Sequence, residues 1–432
     1  MTKFDHLCVL GLGYIGLPTA SLFATNGFRV TGVDVDSRVV DTINRGEVHI
    51  EEPGLNTLVQ AATNSGMLRA TTEVPEADVY IIAVPTPIRD DKRADMTCVE
   101  AAARAIAPRL RPHCLVILES TSPPGTCVNV VAPILGTSGL EVGRQVHLAH
   151  CPERVLPGQI LYELLENSRV VGGYTRRCAD LARGLYRSIV GGAVHVTDVT
   201  TAEMVKVTEN TFRDVNIALS NELALISERL GIDAWDVIRL ANLHPRVNLL
   251  NPGPGVGGHC ISVDPWFVVE QAPDLARLIA TAREVNDGMP GHVEARVSAL
   301  FAGRVPLRVA VLGAAYKGNV DDTRESPALE VVRLLAEAGH EVRLHDPHVS
   351  QLAWPLATMA EAVTGADVVV LLTAHTEFRG LDPEWAGARM ASRVLVDTHH
   401  FLDKKAWQAA HFQVHTLGDG SAALARLLPR SV

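Results

Sequence analysis

Short apolar runs alternate with longer amphipathic stretches near both ends of this 432-residue chain. Runs of this length, separated by stretches with helical spacing, are typical of βαβ units built on a parallel sheet. The pattern therefore predicts strands at two sets of positions: 7–10, 28–33, 79–84 and 115–118 in the first part, and 308–313, 341–346, 368–372 and 394–397 in the last.

The middle of the chain has a different pattern. Residues 200–203 read Thr-Thr-Ala-Glu, a capping-box pattern, and residues 204–230 contain no Pro or Gly before Gly231. This predicts one long helix, and a second helical stretch is expected over 274–300 with a break at 288–291. We therefore expect an α/β protein in which two Rossmann-like parallel-sheet domains, 1–197 and 305–432, are joined by a helical central domain, 198–304.

Composition narrows the class of protein. Hydrophobic residues make up 47% of the chain, and 39 basic against 49 acidic side chains give a net charge of −10. These values exclude a disordered chain and argue against a nucleic-acid coat. The seven cysteines include no Cys-x-x-Cys pair, and there is neither a signal-peptide pattern nor a membrane-length apolar run. We expect a cytoplasmic protein with no disulfide framework, no metal site and no membrane or nucleic-acid partner.

A dinucleotide-binding motif follows the first predicted strand. Gly11, Gly13 and Gly16 form Gly-x-Gly-x-x-Gly, and Asp34 closes the next strand 23 positions after Gly11. The glycines allow a tight turn, a close approach of the pyrophosphate and helix–strand packing. A carboxylate at position 34 suits the ribose hydroxyls and repels a 2′-phosphate, which predicts NAD rather than NADP. Arg38 is interpreted as a solvated helix residue rather than a 2′-phosphate ligand.

Two further loops end predicted strands. Pro85-Thr86-Pro87 and the Ser/Thr/Pro-rich segment 120–125, which contains Thr121, each follow an apolar run. Ligands of open parallel sheets lie against the carboxyl ends of the strands, so these loops are candidates for ribose and nicotinamide contacts.

A glycine-rich loop precedes one cysteine in the middle of the chain. Residues 253–260 read Gly-Pro-Gly-Val-Gly-Gly-His-Cys, and Asp264 follows four positions after Cys260. On the predicted long helix, Lys206 and Asn210 share a face, an arrangement that could stabilise an alkoxide. From these residues alone, a ligand-free loop and a solvated helix stripe remain open alternatives.

Taken together, several motifs are similar to those of one family. Gly11–Gly16, Thr121–Gly125, Pro152-Glu153-Arg154, Lys206–Asn210, Gly257–Cys260 and Asp321–Pro327 occur in the same order as in the UDP-glucose/GDP-mannose dehydrogenases, the nucleotide-sugar 6-dehydrogenases. The resemblance implies oxidation of a sugar C6 alcohol to a carboxylate by two NAD. It also implies that Cys260 is the nucleophile, that Lys206 and Asn210 hold the C6 oxygen, and that Asp264 promotes hydrolysis with a water positioned by Thr121 and Glu153.

The resemblance also implies the binding residues. Those for the cofactor are Gly11, Gly13, Tyr14, Ile15, Gly16, Asp34, Pro85, Thr86, Thr121 and Arg324. Those for the substrate are Glu153, Arg154, Val155, Leu156, Lys206, Asn210, Arg246, Asn248, Gly257, Tyr316 and Lys317. Arg246 resembles an arginine that reaches the sugar from a neighbouring subunit, which implies a homodimer or higher homo-oligomer built on the long helix.

Departures from the UDP-glucose enzymes indicate the substrate. This chain has Arg154 where those enzymes carry Phe, and His259 and Val263 where they carry Ser and Lys. These replacements resemble the branch that oxidises UDP-N-acetylhexosamines. Within it, UDP-N-acetyl-D-mannosamine is expected ahead of UDP-N-acetyl-D-glucosamine, the alternative.

Three other functional classes would require different residues. A two-electron NAD dehydrogenase would need no nucleophilic thiol, and a non-catalytic NAD-binding protein would need neither Cys260 nor Lys206. A nucleotide-sugar epimerase would use a Tyr-x-x-x-Lys pair, which this sequence does not contain.

Overall fold

The computed structural model describes residues 4–155 and 158–420. The chain divides into two compact units, Met1–Glu209 with Trp266–Leu275, and Asn210–Pro265 with Ala276–Val432. The three-domain division at residues 197 and 304 stays a prediction.

The first unit is built on a parallel-dominated sheet. Within the described residues its eight strands are β1 (His6–Leu10), β2 (Arg29–Val33), β3 (Leu68–Thr71), β4 (Val79–Ile82), β5 (Leu115–Leu118), β6 (His147–His150), β7 (Arg169–Gly173) and β8 (Val194–Asp198). Their order is β3-β2-β1-β4-β5-β6-β7-β8. The pair β6–β7 is antiparallel, and the other pairs are parallel. The strand order reverses between β1 and β4, where doubly wound sheets bind nucleotides.

Helices connect these strands. They are α1 (Gly16–Thr25), α2 (Ser37–Asn44), α3 (Leu55–Asn64), α4 (Thr97–Ile106), α5 (Ala132–Gly136), α6 (Ile160–Glu166), α7 (Arg176–Tyr186) and the start of the long helix α8 (Val199–Leu230). A 3₁₀ turn, Ala107–Arg109, follows α4, and a π-helical turn, Cys127–Val131, precedes α5.

The second unit contains a smaller, fully parallel sheet. The five strands found in the described residues are β9 (Arg308–Leu312), β10 (Glu341–His345), β11 (Val368–Leu371), β12 (Val394–Asp397) and β13 (Gln413–Thr416). Their order is β10-β9-β11-β12-β13. The other helices found among residues 4–155 and 158–420 are α9 (Ala234–Ala241), α10 (Asp264–Gln271), α11 (Arg277–Leu300), α12 (Pro327–Glu337), α13 (Met359–Val363), α14 (Pro383–Gly387) and α15 (Lys404–Ala409), with a 3₁₀ turn at Thr376–Gly380.

Both sheets bury their two faces, which explains the continuous apolar runs in the sequence. In β1, Leu7 and Val9 pack into one core with Phe23 of α1, whereas Cys8 and Leu10 belong to a second core on the other face. The second unit has the same arrangement, with two separate cores on its sheet. The predicted fold class, two Rossmann-like sheets with a helical central region, is confirmed.

Two local predictions were wrong: the capping box at 200–203 as the start of the long helix, and the helix break at 288–291. The long helix begins at Val199, and Asp198 caps it by accepting hydrogen bonds from the backbone N and Oγ1 of Thr201 at 2.9 and 2.6 Å. The expected break at 288–291 does not occur, because α11 runs through Pro290. Tertiary contacts outweigh the cost of that proline, since Met289, Pro290 and Val293 are all buried.

No helix in the part of the chain that the structure describes combines the length and the apolar character needed to cross a bilayer.

Candidate active site

The cofactor residues predicted in the first unit meet at one edge of its sheet. The strands β2, β1, β4, β5 and β6 are neighbours, and their last residues are in register, with Leu10 opposite Val33 and Ile82. Ile82 is in turn opposite Leu118, which is opposite His150. The segments that follow these strands contain the glycine motif, Asp34, Pro85, Thr86, Thr121 and Glu153. The sheet therefore brings these predicted residues to the same edge.

The glycine motif has the space that a dinucleotide requires. Gly11 has φ +88°, and a Cβ on Gly16 would lie 1.8 Å from the Gly11 carbonyl oxygen, so both glycines are needed by the turn itself. Gly13 is exposed, and a Cβ there would meet nothing within 4 Å. The space beside Gly13 is thus open, as a site for pyrophosphate against the start of α1 would be. Tyr14 and Ile15 complete the turn.

Asp34 is oriented by backbone amides. Its Oδ2 accepts a hydrogen bond from the N–H of Leu12 at 3.0 Å, and its Oδ1 accepts one from the N–H of Asp36 at 3.0 Å. Arg38 donates to Asp36 at 2.7 Å through its guanidinium, and these hydrogen bonds lower the pKa of Asp36 to about 2. Arg38 is therefore paired with Asp36, which agrees with its interpretation as a surface residue.

The Thr121 loop is tied to the start of α8. The Glu203 carboxylate accepts hydrogen bonds from the backbone N–H groups of Gly125 and Cys127 at 2.5 and 2.8 Å. Glu203 is fully buried. The carboxylate thus caps the helical turn that follows the loop, a role that the expected capping box within α8 did not include.

Glu153 and Arg154 each have a specific partner in the first unit. Glu153 is buried, and its Oε2 accepts a hydrogen bond from Arg169 at 2.7 Å. Arg154 donates to Glu209 at 2.7 Å and also to the carbonyl oxygen of Ser168. Both predicted substrate residues are consequently held in fixed orientations.

In the second unit the structure brings three predicted catalytic residues together. The Asn210 amide donates to Asp264 Oδ2 at 2.6 Å, and both side chains are buried. The backbone N–H of Asp264 donates to the carbonyl oxygen of Cys260 at 2.8 Å, so Cys260 lies one turn before Asp264. Cys260 is half-buried, whereas five of the other six cysteines are buried and Cys98 is exposed.

Buried polar side chains support the glycine loop before Cys260. Asn221 of α8 accepts a hydrogen bond from the Gly253 N–H at 2.9 Å and donates to Asn286 of α11 at 2.8 Å. Asn286 donates to Asp214 at 2.8 Å, and Arg283 donates to the same carboxylate at 2.5 Å. Asp214, one turn after Asn210 on α8, therefore has structural partners. Burial raises its pKa, and the Arg283 guanidinium opposes that rise.

The end of this loop contacts the segment after β9. A Cβ on Gly257 would lie 2.9 Å from the Tyr316 Cβ, and the Gly258 N–H donates to the carbonyl oxygen of Arg324 at 3.1 Å. The Arg324 guanidinium binds Asp322 at 2.6 Å, and His259 Nδ1 lies 3.8 Å from the same carboxylate. Burial of the Asp322 carboxylate acts to raise its pKa, but the hydrogen bonds from Arg324 outweigh burial and lower the pKa. Gly257, Tyr316 and Arg324 are thus adjacent.

The remaining predicted residues are more accessible. Lys317, Arg246, Asn248 and Pro85 are exposed, and Lys206, Val155 and Thr86 are half-buried. Lys206 lies one turn before Asn210 on α8. Leu156 lies outside the described residues.

Two groups of described side chains have ligand atoms within 4.8 Å of one another, as a metal site requires: Cys127, His150 and Glu203, and His348, His375 and Glu377. In each group, one candidate ligand is already engaged in hydrogen bonds within the protein. Glu203 caps the turn described above, while His375 accepts from the Asn319 N–H through Nδ1 and donates to Asp346 through Nε2. Burial lowers the pKa of His150 to about 3, so this imidazole is neutral. We assign no metal to either group.

Three polar residues of this region were missed by the sequence analysis. Arg169 binds Glu153, Glu209 binds Arg154, and Glu203 caps the turn after Thr121. No local motif predicts these three contacts. Glu203 and Gly125 are 78 positions apart, so only the folded chain shows the contact.

Comparison with known proteins places the chain in one family. The NAD-binding, central and UDP-binding domains of the UDP-glucose/GDP-mannose dehydrogenase family match residues 5–190, 200–288 and 310–404. The chain is 47% identical to UDP-N-acetyl-D-mannosamine dehydrogenase of Methanocaldococcus jannaschii, over 98% of this chain and 100% of that protein. It is 49% identical to an NDP-N-acetyl-D-galactosaminuronic acid dehydrogenase of Ralstonia solanacearum, over 93% and 97% of the two chains.

A solved structure shows the same fold. The UDP-D-ManNAc dehydrogenase of Pyrococcus horikoshii superimposes with a TM-score of 0.90 at 40% identity, over 96% of this chain and 100% of that one. The predictions of an NAD-dependent oxidoreductase and of NAD as its cofactor are confirmed. The chain belongs to the UDP-glucose/GDP-mannose dehydrogenase family.

Proposed function

We propose that this protein oxidises C6 of UDP-N-acetyl-D-mannosamine to the carboxylate, using two NAD per sugar. The observation that carries the proposal is the buried Asn210–Asp264 hydrogen bond one turn after Cys260, in a chain that matches all three family domains. The cytoplasm is the expected location, because the seven cysteines form no disulfide, as is usual for proteins of a reducing compartment.

The first oxidation removes a hydride from C6 and releases the proton of the C6 hydroxyl to water. NAD supplies the hydride acceptor for this oxidation and for the second. Lys206 and Asn210 stabilise the developing negative charge on the C6 oxygen, because an ammonium and an amide N–H are both suited to an alkoxide. The Asp264 carboxylate fixes the orientation of the Asn210 amide through their 2.6 Å hydrogen bond.

The second oxidation proceeds through a covalent bond to Cys260. Its thiolate adds to the C6 aldehyde and gives a thiohemiacetal, whose oxygen is held by the same Lys206 and Asn210. Loss of the C6 hydride then gives a thioester. The aldehyde stays bonded to the enzyme until it has been oxidised.

Hydrolysis releases the product. A water adds to the thioester carbonyl, the carbon–sulfur bond breaks, and the Cys260 thiol and the uronate form. Asp264 accepts a proton from this water, and Thr121 and Glu153 position it. Glu153 presents a carboxylate whose orientation is fixed by Arg169.

The sugar nucleotide is bound by residues of several segments. We assign the uridine and diphosphate to Tyr316, Lys317 and Gly257. The sugar is assigned to Arg154, Val155, Leu156 and Asn248, with His259 near the acetamido group. A site built to pair with an acetamido group leaves polar atoms unpaired when glucose binds, and such sites can reject a substrate by about 10⁴-fold.

The substrate assignment is tested by measuring initial rates with a panel of UDP-sugars. We expect UDP-N-acetyl-D-mannosamine to react fastest and UDP-glucose to be a very poor substrate. The panel includes UDP-N-acetyl-D-glucosamine and, because of the Ralstonia relative, UDP-N-acetyl-D-galactosamine. A higher rate with either of these two sugars would overturn the choice of sugar, and UDP-glucose as the best substrate would overturn the whole branch.

We also propose that two copies of the chain pair along α8. Phe212, Leu219 and Ile226 are spaced by seven positions and are 68%, 45% and 45% exposed, which forms an apolar stripe on one face of the helix. Arg246 is exposed in the loop after α9 and would reach the sugar of the partner copy.

The oligomer is tested by sedimentation velocity. We expect the parent protein to be a dimer or larger and Ile226→Glu to be a monomer. The matched control is Tyr162→Glu in the first unit, which replaces a side chain that is 67% exposed and should leave the mass unchanged. A monomeric parent protein would contradict the proposal.

A further inference from the structure

A buried cluster of charged and aromatic side chains lies next to Glu153. Arg169, at the start of β7, binds the Glu153 carboxylate at 2.7 Å, and the two side chains are only 6% and 9% exposed. The other oxygen of Glu153 accepts from the backbone N–H of Arg154 at 2.7 Å. Each carboxylate oxygen thus has a directed donor.

The position of Arg169 is itself fixed. Its guanidinium carbon lies 5.2 Å from the centroid of the Tyr186 ring, and the Tyr186 hydroxyl donates to Glu119 at 2.6 Å. Tyr186 and Glu119 are both fully buried. The Arg169 guanidinium packs against the Tyr186 ring and pairs with the Glu153 carboxylate, so the side chain has little freedom to change rotamer. A planar guanidinium in one rotamer also fixes the direction of its hydrogen bond to the carboxylate.

We infer that Arg169 is a positioning residue for the hydrolysis step, acting through Glu153; the inference rests on the proposed function. Arg169 supplies the positive charge that a buried carboxylate needs and aims one oxygen, while the Arg154 amide aims the other. In the proposed function, the Glu153 carboxylate oriented in this way positions the water that attacks the Cys260 thioester. Arg169 contacts neither the thioester nor the cofactor in this role.

The inference predicts that a change at Arg169 affects one step of the reaction. Neither hydride transfer uses Glu153, so both should remain fast when Arg169 is replaced. A displaced carboxylate slows hydrolysis, and misplacement by about 1 Å is enough for about a 100-fold loss. The enzyme should therefore accumulate as the thioester.

The experiment compares Arg169→Met and Arg169→Lys with the parent enzyme, using UDP-N-acetyl-D-mannosamine and NAD. Stopped-flow absorbance follows NADH, and intact-protein mass spectrometry detects the sugar nucleotide on Cys260. For Arg169→Met we expect a rapid burst of two NADH per site, a steady-state rate about 100-fold below the parent, and a covalent adduct. Arg169→Lys retains the positive charge and should recover part of the steady-state rate, which keeps the test available if the Met variant does not fold.

Arg183→Met is the matched control. It removes a guanidinium of the same unit that pairs with Asp180 at 3.1 Å and takes no part in the cluster around Glu153, so its steady-state rate should equal that of the parent. Slower burst and steady-state phases without an adduct, or an unchanged rate in both Arg169 variants, would overturn the inference. If the parent enzyme itself does not give two NADH per sugar, the proposed function fails instead.

Discussion

We expect the choice between NAD and NADP to depend on two neighbouring carboxylates, those of Asp34 and Asp36. Asp34 is held by the amides of Leu12 and Asp36, which leaves its outer lone pairs for the ribose hydroxyls. Charge-assisted hydrogen bonds of this kind contribute about 1.5–3 kcal/mol. We therefore predict that Asp34→Asn, which keeps the shape and removes the charge, weakens NAD binding by about 10- to 150-fold.

The second carboxylate restrains the one nearby arginine. Arg38 pairs with Asp36 at 2.7 Å, but its side chain is 90% exposed, and ion pairs this exposed contribute little to stability. Removing Asp36 should therefore release the guanidinium easily. In Asp34→Asn/Asp36→Ala, we expect the ratio of the NADP to the NAD dissociation constant to fall by at least about tenfold relative to Asp34→Asn alone.

Isothermal titration calorimetry at one fixed ionic strength measures both dissociation constants. Asp36→Ala alone is the control, because Asp34 still repels the 2′-phosphate and NAD should remain the preferred cofactor. An unchanged affinity of Asp34→Asn for NAD, or equal binding of NAD and NADP by the parent protein, would refute the reasoning.

Three further predictions concern glycines and buried charges. Gly13→Ala should weaken NAD binding without lowering the unfolding temperature, since its Cβ meets nothing within 4 Å. Gly16→Ala should lower both the affinity for NAD and the unfolding temperature, and an equal fall in unfolding temperature in the two variants would contradict this. Arg296→Met removes the guanidinium that the buried carboxylates of Glu228 and Asp419 share, while His292 and Lys404 still contact them, and should lower the free energy of unfolding by about 3 kcal/mol, against at most about 1 for the exposed Arg239→Met, as measured by urea denaturation. Burial raises the pKa of Glu119 to about 7, so the folded state keeps a proton that the unfolded state loses above its pKa of about 4.5. Stability should consequently fall by about 3 kcal/mol as the pH rises through that window, and Glu119→Gln should remove this fall in thermal unfolding at pH 5 and pH 8.

The sequence predicted the features that depend on neighbouring residues. Strands such as β5 and β12 were found at their observed positions because a strand buried on both faces needs a continuous apolar run. The glycine motif could also be recognised from the sequence, because the close contact between Gly16 and Gly11 joins residues that are near one another in the chain.

Contacts between distant residues could not be predicted in this way. Asn210 and Asp264 are 54 positions apart, and Glu153 and Arg169 are 16 apart, with no motif that joins either pair. The cap of α8 was misassigned because Asp198 and Thr200 are both good capping residues. The sequence predicts a helix break at Pro290 because the destabilising effect of a proline is local. The burial of Met289 and Val293, which compensates for it, is visible only in the folded chain.

The central claim is a four-electron oxidation through Cys260, and it is tested most directly by counting NADH formed from a limiting amount of UDP-N-acetyl-D-mannosamine. The account predicts two NADH per sugar for the parent enzyme. It predicts no uronate for Cys260→Ala, which should still bind NAD and the UDP-sugar, and a stable covalent adduct for Cys260→Ser, because an ester hydrolyses more slowly than a thioester. One NADH per sugar in the parent, or uronate formation by Cys260→Ala at a comparable rate, would contradict it.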